Sequence, residues 1–153
     1  MNASDTQRST EHATFTIERL YAAAPERVFA AWAEPAAKEA WFGPPASPGT
    51  ERSLDFRVGG RERFLAGGPD GARYTFDALY CDIQPARRIV YAYTMDRDGA
   101  RISASLATVE LEAADGGTRL LFTEQAVYLE GGDTPAMREH GTRELLDRLA
   151  GVL

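Results

Sequence analysis

A glutamate inside a predicted strand is the first candidate for chemistry in this sequence. If the turn of the last hairpin is centred between residues 115 and 116, Val109 pairs with Phe122 and Ala107 pairs with Glu124. An antiparallel sheet with one covered face places the side chains of one parity in the core. Glu124 shares its parity with Phe122, so we expect its carboxyl group to point inward.

A second glutamate has the same character. Glu62 shares the parity of Phe64 in the segment RERFLAGG, and we expect it to point inward too. A carboxyl group removed from water must be paired, hydrogen-bonded or protonated. Two such groups in one cavity could share a proton, act as a general base or bind a polar or cationic ligand group. The alternatives are a strand end in water, or an internal ion pair with Arg57, Arg61 or Arg63.

Aromatic side chains recur along the predicted strands, which are poor in Leu, Ile and Val. Each ring buries about 150–250 Å², and a buried tyrosine also needs a partner for its hydroxyl group. This composition favours the wall of a pocket over a dry core, although some tyrosines would face solvent on the outer side of the sheet. The strand residues expected to line a pocket are Phe56, Phe64, Tyr74, Phe76, Tyr91, Tyr93 and Phe122.

The segment DTPAMREHGTRELLDRLAGVL predicts a C-terminal amphipathic helix. Its apolar i+4 row is Met137, Gly141, Leu145 and Leu149. A glycine inside a helix costs about 1 kcal/mol relative to alanine. Either the sheet backbone approaches Gly141 closely, or the glycine leaves space above a cavity that Met137 also lines. His140 lies beside them, either touching a ligand or resting on the surface.

The segment PERVFAAWAEPAAKEAWFGPP, residues 25–45, predicts two short helices. Pro25 suits the first turn of one helix, and Pro35 ends or kinks it. Trp41 and Phe42 then stand where the second helix, predicted to run to about Phe42, must stop and the chain must turn into the sheet. We expect them to form a hydrophobic plug and to close the mouth of the cavity.

The composition excludes several kinds of site and partner. The 153 residues carry a net charge of -6 with scattered basic residues, which argues against binding to nucleic acid. One cysteine and two histidines cannot supply a His/Cys metal cluster, and no nucleotide-binding, hydrolase or zinc-protease motif occurs, so we expect neither metal nor cofactor. No apolar run is long enough to span a membrane. The polar residues 1–13 lack the apolar region of a signal peptide, which predicts a disordered leader and a cytoplasmic protein.

The predicted elements are one strand at residues 14–22, two short helices, about six antiparallel strands and one long helix. A sheet with one apolar face must be covered, and the C-terminal helix is the only long element able to cover it. This order predicts a single α+β domain over residues 14–153, with a curved antiparallel sheet around the last helix.

Five segments together resemble the START-like helix-grip (SRPBCC) superfamily, and within it small single-domain, polyketide cyclase-like members of one branch. That branch is named for homologues of the activator of the ninety-kilodalton heat-shock protein ATPase. The segments are ERLYAAAPERVFAAWAEPAAKEAWFGP, DFRVGGRERF, IQPARRIVYAY, SASLATVELEAADGGTRLLFTEQ and REHGTRELLDRL. The resemblance implies a seven-stranded antiparallel sheet that grips the last helix, with a cavity between them. The fold hosts lipid carriers, cyclases, hydroxylase subunits, hormone receptors and chaperone activators, so function has to be argued from the site.

Three hypotheses compete for the function. The first is a protein that binds an apolar, aromatic or lipid-like small molecule, because pocket residues are present and no catalytic constellation is. The second is a cyclase- or hydrolase-like enzyme with Glu124 or Glu62 as general base and a tyrosine as hydroxyl donor. The third is a chaperone-ATPase activator, although the chain lacks the additional chaperone-binding domain that such activators carry. The sequence leaves a homodimer open.

Overall fold

The computed structural model describes residues 9–44, 47–130 and 132–153, and an antiparallel sheet dominates it. In chain order the elements are β1 (Thr10–Tyr21), α1 (Pro25–Ala33), α2 (Pro35–Glu39), β2 (Glu51–Leu54), β3 (Arg61–Gly67), β4 (Arg73–Gln84), β5 (Arg88–Arg97), β6 (Ala100–Ala114), β7 (Gly117–Leu129) and α3 (Pro135–Ala150). The strand order is β1-β7-β6-β5-β4-β3-β2, with β1 and β2 at the two edges. The α+β helix-grip architecture that the sequence predicts is confirmed.

The register of the last hairpin agrees with the sequence pattern. Ala107 lies opposite Glu124 and Val109 lies opposite Phe122, as predicted. The two turn residues, Asp115 and Gly116, both have positive φ, at 40° and 81°. Such a turn matches the twist of the flanking strands. The hairpin therefore sends the Glu124 side chain to the inner face, where it is buried.

The first strand begins earlier than the hydrophobic pattern indicates. It starts at Thr10 and pairs with β7 from its first residue, Thr10 opposite Leu129 and Ala13 opposite Ala126. Residues 10–13 of the predicted disordered leader therefore belong to the sheet, and that part of the prediction is wrong. Most of these residues are polar and exposed on an edge strand, so no apolar alternation marked them. Residues 1–8 lie outside the described residues.

The two short helices are separated by a single residue, Glu34, and each begins with a proline at its first position. The second helix ends at Glu39 rather than near Phe42, although the amide groups of Trp41 and Phe42 still donate to the Lys38 carbonyl oxygen. The turn that follows carries both rings back over the inner face of the sheet. Within the described ranges, no helix is both long enough and apolar enough to cross a membrane.

The C-terminal helix presents a different face to the sheet from the one its apolar residues predict. Thr134 caps it by accepting a hydrogen bond from the Met137 amide. Its buried residues are Arg138, Thr142, Leu146 and Leu149. The predicted apolar face was the row of Met137, Gly141, Leu145 and Leu149, widened by Leu146 and Val152, and it shares Leu146 and Leu149 with this set. A pattern built from apolar residues alone misses a buried face whose first two members are polar.

Candidate functional site

A cavity of about 250 Å³ lies between the inner face of the sheet and α3, partly open to solvent. Seven aromatic rings line it: Trp32, Trp41, Phe42, Phe76, Tyr91, Tyr93 and Phe122. The other lining residues are Met95, Glu124, Asp133, Met137, Arg138, Gly141, Thr142, Leu145 and Leu146. Ligand pockets commonly measure about 300–1,000 Å³. The volume of this cavity lies just below that range, so any ligand it holds must be small.

The broken helix near the start of the chain builds one end of the cavity wall. The interruption at Pro35 lets the chain fold back, so that the Trp41 indole N–H donates to the Ala31 carbonyl oxygen over 3.0 Å. The Trp41 ring meets the Trp32 ring edge-on at 4.8 Å and the Phe42 ring at 5.5 Å. Edge-to-face contacts of this kind fix ring positions. Plug and cavity wall are thus the same set of side chains.

Three polar side chains, Tyr93, Glu124 and Arg138, meet at another part of the wall, and we call them the arginine cluster. The Tyr93 hydroxyl group is 2.9 Å from each carboxylate oxygen of Glu124, to which it donates. Arg138 donates through Nη1 to the Tyr93 oxygen at 2.8 Å and to Glu124 Oε2 at 3.4 Å. Its Nη2 donates to the Ser103 hydroxyl at 2.7 Å, and its Nε donates to Asp133 Oδ2 at 2.8 Å.

Burial shapes the protonation of this cluster. It raises the pKa of Glu124 above its usual value, and the nearby Arg138 guanidinium and Tyr93 hydroxyl offset only part of that rise. Burial likewise raises the pKa of Tyr93, which keeps its proton. Burial alone would lower the pKa of Arg138, but the surrounding tyrosines and carboxylates raise it overall, so it stays charged. Of the three members of the arginine cluster, Glu124 is therefore the one whose raised pKa brings its charge closest to changing near neutral pH.

The second inward glutamate lies in a separate buried cluster and does not line the cavity. Glu62 Oε1 is 2.6 Å from the Lys38 ammonium nitrogen and 2.7 Å from the Tyr80 hydroxyl oxygen. The same nitrogen lies 4.3 Å from the centre of the Phe42 ring. Burial lowers the pKa of Lys38, and the Glu62 carboxylate opposes that shift. We call Lys38, Glu62 and Tyr80 the lysine cluster.

The predicted ion-pair partners of Glu62 are wrong, and so is its predicted place in the ligand site. Lys38, the only lysine of the chain, supplies the charge instead of the neighbouring arginines. Arg57 pairs with Asp55 and Arg61 pairs with Asp77, both near the surface. Since each glutamate has its own cation and its own tyrosine, the structure gives no support to a proton shared between them.

The structure places nine of the predicted site residues in the cavity wall. They are Trp41, Phe42, Phe76, Tyr91, Tyr93, Phe122, Glu124, Met137 and Gly141. A Cβ atom added at Gly141 would meet no atom within 4 Å. Close approach of the sheet therefore does not explain this glycine, and the open space beside the helix does.

Four further predicted site residues lie elsewhere. Phe56 packs against Phe29 and Tyr80, with ring centres 5.6 and 4.9 Å apart. Phe64 lies under the Arg52 guanidinium group, whose carbon is 3.8 Å from the ring centre.

The other two of these residues lie near the protein surface. Tyr74 is on the predicted face but near the start of β4, beyond the cavity, where its hydroxyl donates to Asp70. His140 is 75% exposed beside Glu144, because α3 turns that position to solvent.

Two cations at the centre of the clusters, Lys38 and Arg138, were missed from the sequence. The sequence nevertheless contains a signal for each of them. An inward carboxylate demands a buried cation, and Lys38 is the only lysine, set among apolar residues of a short helix. Arg138 lies eight positions before Leu146 and eleven before Leu149, on the same helical face. Among the described residues, no group of three or more His, Cys, Asp or Glu side chains is arranged to hold a metal ion.

Comparison with known proteins agrees with this architecture. The family model described as "Activator of Hsp90 ATPase homolog 1-like protein" matches residues 22–153. An uncharacterized protein from Rhizobium leguminosarum is 46% identical, with a TM-score of 0.88, over 94% of this chain and 95% of its own. The Mll3558 protein from Rhizobium loti is 44% identical, with a TM-score of 0.88, over 95% of this chain and 100% of its own.

A more distant structure shows the same fold. The CV1439 protein from Chromobacterium violaceum is 26% identical, with a TM-score of 0.69, over 92% of this chain and 97% of its own. No curated protein matches this chain. The resemblance seen in the sequence is confirmed at the level of family and fold.

Proposed function

The chain belongs to the family of activator of Hsp90 ATPase homolog 1-like proteins, and within it we propose that this protein binds a small, largely apolar or aromatic molecule in the cavity beneath α3. The observation that carries the proposal is the open space at Gly141. Glycine there costs about 1 kcal/mol of helix stability relative to alanine. A helix that keeps this residue above a cavity of about 250 Å³ leaves room that the protein itself does not fill.

The cavity lining offers two kinds of group: aromatic rings that can bury a ligand, and polar side chains that can orient it. Rings such as Phe76 and Phe122 offer apolar area, which supplies most of the affinity for a small ligand. The arginine cluster offers the polar groups against which one end of the ligand would be oriented. Its members are held by hydrogen bonds to one another before any ligand arrives, so little side-chain entropy is lost on binding.

The proposal is tested by filling the cavity. Gly141→Leu places an isobutyl group in the open space and should abolish binding while the protein stays folded. Glu144→Leu is the matched control, because it adds the same side chain to the same helix at a 65% exposed position. Native mass spectrometry of the freshly purified proteins would show a copurified small molecule with the wild type and Glu144→Leu only.

Two outcomes would contradict the proposal. One is a small molecule that still copurifies with a folded Gly141→Leu protein, since it could not then occupy this cavity. The other is a wild-type protein that carries no small molecule and shows no thermal stabilisation by any apolar or aromatic compound in a screen. A ligand present at 100 times its dissociation constant should add about 2.7 kcal/mol to the free energy of unfolding.

A second candidate function comes from the description of the family model, which names an activator of the Hsp90 ATPase. A pull-down with Hsp90, followed by an assay of its ATPase rate with and without this protein, tests that candidate directly. The enzyme hypothesis names Glu124 or Glu62 as general base. Of these two, Glu124 lines the cavity and Glu62 pairs with Lys38 outside it, so Glu124 is the better candidate, and a bell-shaped pH–rate profile would be its mark.

A further inference from the structure

The protein contains two buried glutamates that each accept a hydrogen bond from a tyrosine, and they differ in the cation they meet. Glu62 receives the Tyr80 hydroxyl group and the ammonium group of Lys38, both on Oε1. That ammonium group also lies over the Phe42 ring. A carboxylate, a tyrosine hydroxyl group and an aromatic ring thus surround an ammonium group in the lysine cluster. That ammonium group belongs to the protein's own Lys38.

The Glu124 carboxylate is only partly occupied. Arg138 approaches its Oε2 atom at 3.4 Å, which is long for a charge-assisted hydrogen bond. The Oε1 atom accepts from the Tyr93 hydroxyl, and the Ser105 hydroxyl is the other uncharged donor close enough to lower the pKa of Glu124. A carboxylate has about four acceptor positions, so Glu124 can accept a further N–H donor.

The guanidinium group of Arg138 already uses its nitrogen atoms in hydrogen bonds within the protein. Each of its three nitrogens donates to a protein oxygen, among them those of Tyr93, Ser103 and Asp133. Glu124, Asp133 and Arg138 together carry one net negative charge when both carboxyl groups are ionised. This end of the cavity therefore opposes an anionic ligand and favours a cationic one.

The aromatic wall favours the same class of ligand. A cation over a ring face gains about 0.5–2 kcal/mol, more where water is excluded. Trp32, Phe42 and Tyr91 line the cavity, and their ring centres lie 4.3 to 5.8 Å from the Lys38 nitrogen. These rings therefore already contact an ammonium group inside the protein.

We infer that the Glu124 end of the cavity binds the ammonium group of a small organic amine whose body is apolar or aromatic, as Glu62 binds the ammonium group of Lys38. The inference rests on the proposed function, because it assigns the polar end of the ligand that the cavity would hold. The amine would donate to Glu124 Oε1, and its apolar body would lie against the rings.

Three probes of similar size and different charge test the inference: 2-phenylethylamine, 2-phenylethanol and phenylacetate. Trp32 and Trp41, the only tryptophans of the chain, both line the cavity, so their fluorescence reports binding, and calorimetry gives the affinities. We expect the amine to bind about tenfold or more tightly than the alcohol, since hydrogen bonds to charged groups are worth that much. The carboxylate should bind most weakly.

A Glu124→Gln variant should lower the ratio of amine to alcohol affinity to about one. Glu144→Gln is the matched control, because it removes the same charge from α3 at an exposed position, and it should keep the wild-type ratio.

The wild-type protein supplies a test that needs no substitution. The ratio of amine to alcohol affinity should fall as the pH is lowered towards 4.5, because burial raises the pKa of Glu124 above that ordinary value and the carboxylate takes up a proton. The groups facing Glu124 are Tyr91 and Tyr93 from β5, Tyr128 from β7, Arg138 from α3 and Asp133 before it. The tyrosines and Arg138 keep their charge states as the pH falls.

The outcomes separate the two proposals. Equal affinities for amine and alcohol, a tighter carboxylate, or a ratio that does not change with pH while the protein remains folded would overturn the inference. Each of these leaves the proposed function standing, because the cavity would still bind a small molecule. If none of the three probes binds, the inference fails, and the copurification test with Gly141→Leu decides the proposed function separately.

Discussion

The lysine cluster and the arginine cluster use the same pair of side chains, a glutamate and a tyrosine, for different ends. In the lysine cluster the cation comes from α2 and lies 2.6 Å from the carboxylate, with both side chains at least nine-tenths buried. In the arginine cluster the cation comes from α3 and lies 3.4 Å from the carboxylate, beside a cavity. The first is a short ion pair beside a pocket of about 110 Å³, whereas in the second the cation is farther away and the carboxylate lines the cavity of about 250 Å³ beneath α3.

The two clusters therefore differ in what they can do. One connects elements of the fold, and the other could contact a ligand. A short buried ion pair ties elements together, here α2 to β3 through Lys38 and Glu62. A buried carboxylate with spare acceptor capacity carries a desolvation penalty that a ligand could relieve. Under the proposed function, the position of the nearest cation, rather than the acid itself, decides which of the two clusters can take a group of the ligand.

The largest expected effect is the loss of the lysine cluster's cation. Lys38→Met keeps most of the side-chain volume but leaves the Glu62 carboxylate buried without its partner. Breaking a buried pair in this way costs about 3–5 kcal/mol of unfolding free energy. Denaturant titration should show this loss, while Arg143→Met should cost about 0.5 kcal/mol or less, because its pair with Glu139 is partly exposed.

A second substitution checks that the uncompensated charge is the cause. Adding Glu62→Gln to the Lys38→Met protein removes that charge and should recover a large part of the lost stability. A typical net value for one ordinary hydrogen bond is about 1 kcal/mol. If Lys38→Met lowers the free energy of unfolding by less than that, the lysine cluster is not the short buried ion pair described above.

A smaller effect is expected when the carboxylate of the arginine cluster is neutralised. Glu124→Gln loses charge-assisted hydrogen bonds but also removes a desolvated charge, so we expect a cost of about 2 kcal/mol or less at neutral pH. Arg138 keeps Asp133 as its partner in this variant. A loss as large as that of Lys38→Met would remove the distinction between the clusters.

The pH dependence of this variant has a defined sign. Because the pKa of Glu124 is raised in the folded protein, the folded state binds more protons than the unfolded state just above the ordinary value of 4.5. Wild-type stability therefore falls, through this group, as the pH rises from 4.5 through the raised pKa. The free energy of unfolding of Glu124→Gln minus that of the wild type should accordingly increase with pH over this window. Parallel stability curves would mean that Glu124 titrates normally.

Much of the fold, and the acids of both clusters, could be predicted from the sequence because strand parity is a strong constraint. One residue of slippage between the two strands would put Phe122 and Glu124 on the opposite face from Val109, so the register of the last hairpin has a single sensible solution. The same parity placed Glu62 on the inner face. Parity cannot give depth along a strand, which is why Tyr74 and Phe64 were assigned to the cavity although they lie beyond it.

The cations could not be predicted in the same way, because each reaches its acid through tertiary packing. Lys38 and Glu62 are 24 positions apart, and Arg138 and Glu124 are 14 positions apart on different elements. Helical periodicity selects apolar residues, so the predicted face of the last helix did not include Arg138. The packing of α3 overrides that pattern by giving the guanidinium group Ser103 as a partner at 2.7 Å.

The smallest expected effect compares a glycine near each cluster. Gly141→Ala should raise the free energy of unfolding by about 1 kcal/mol, because alanine is the better helix former and the new Cβ atom meets nothing within 4 Å. Gly43→Ala should instead destabilise the protein, because Gly43 has a φ of 93° and its Cβ atom would overlap the Phe64 ring. Chemical denaturation of both variants measures the contrast. If Gly141→Ala is also destabilising, the space above the arginine cluster is already filled, and the cavity loses its strongest support.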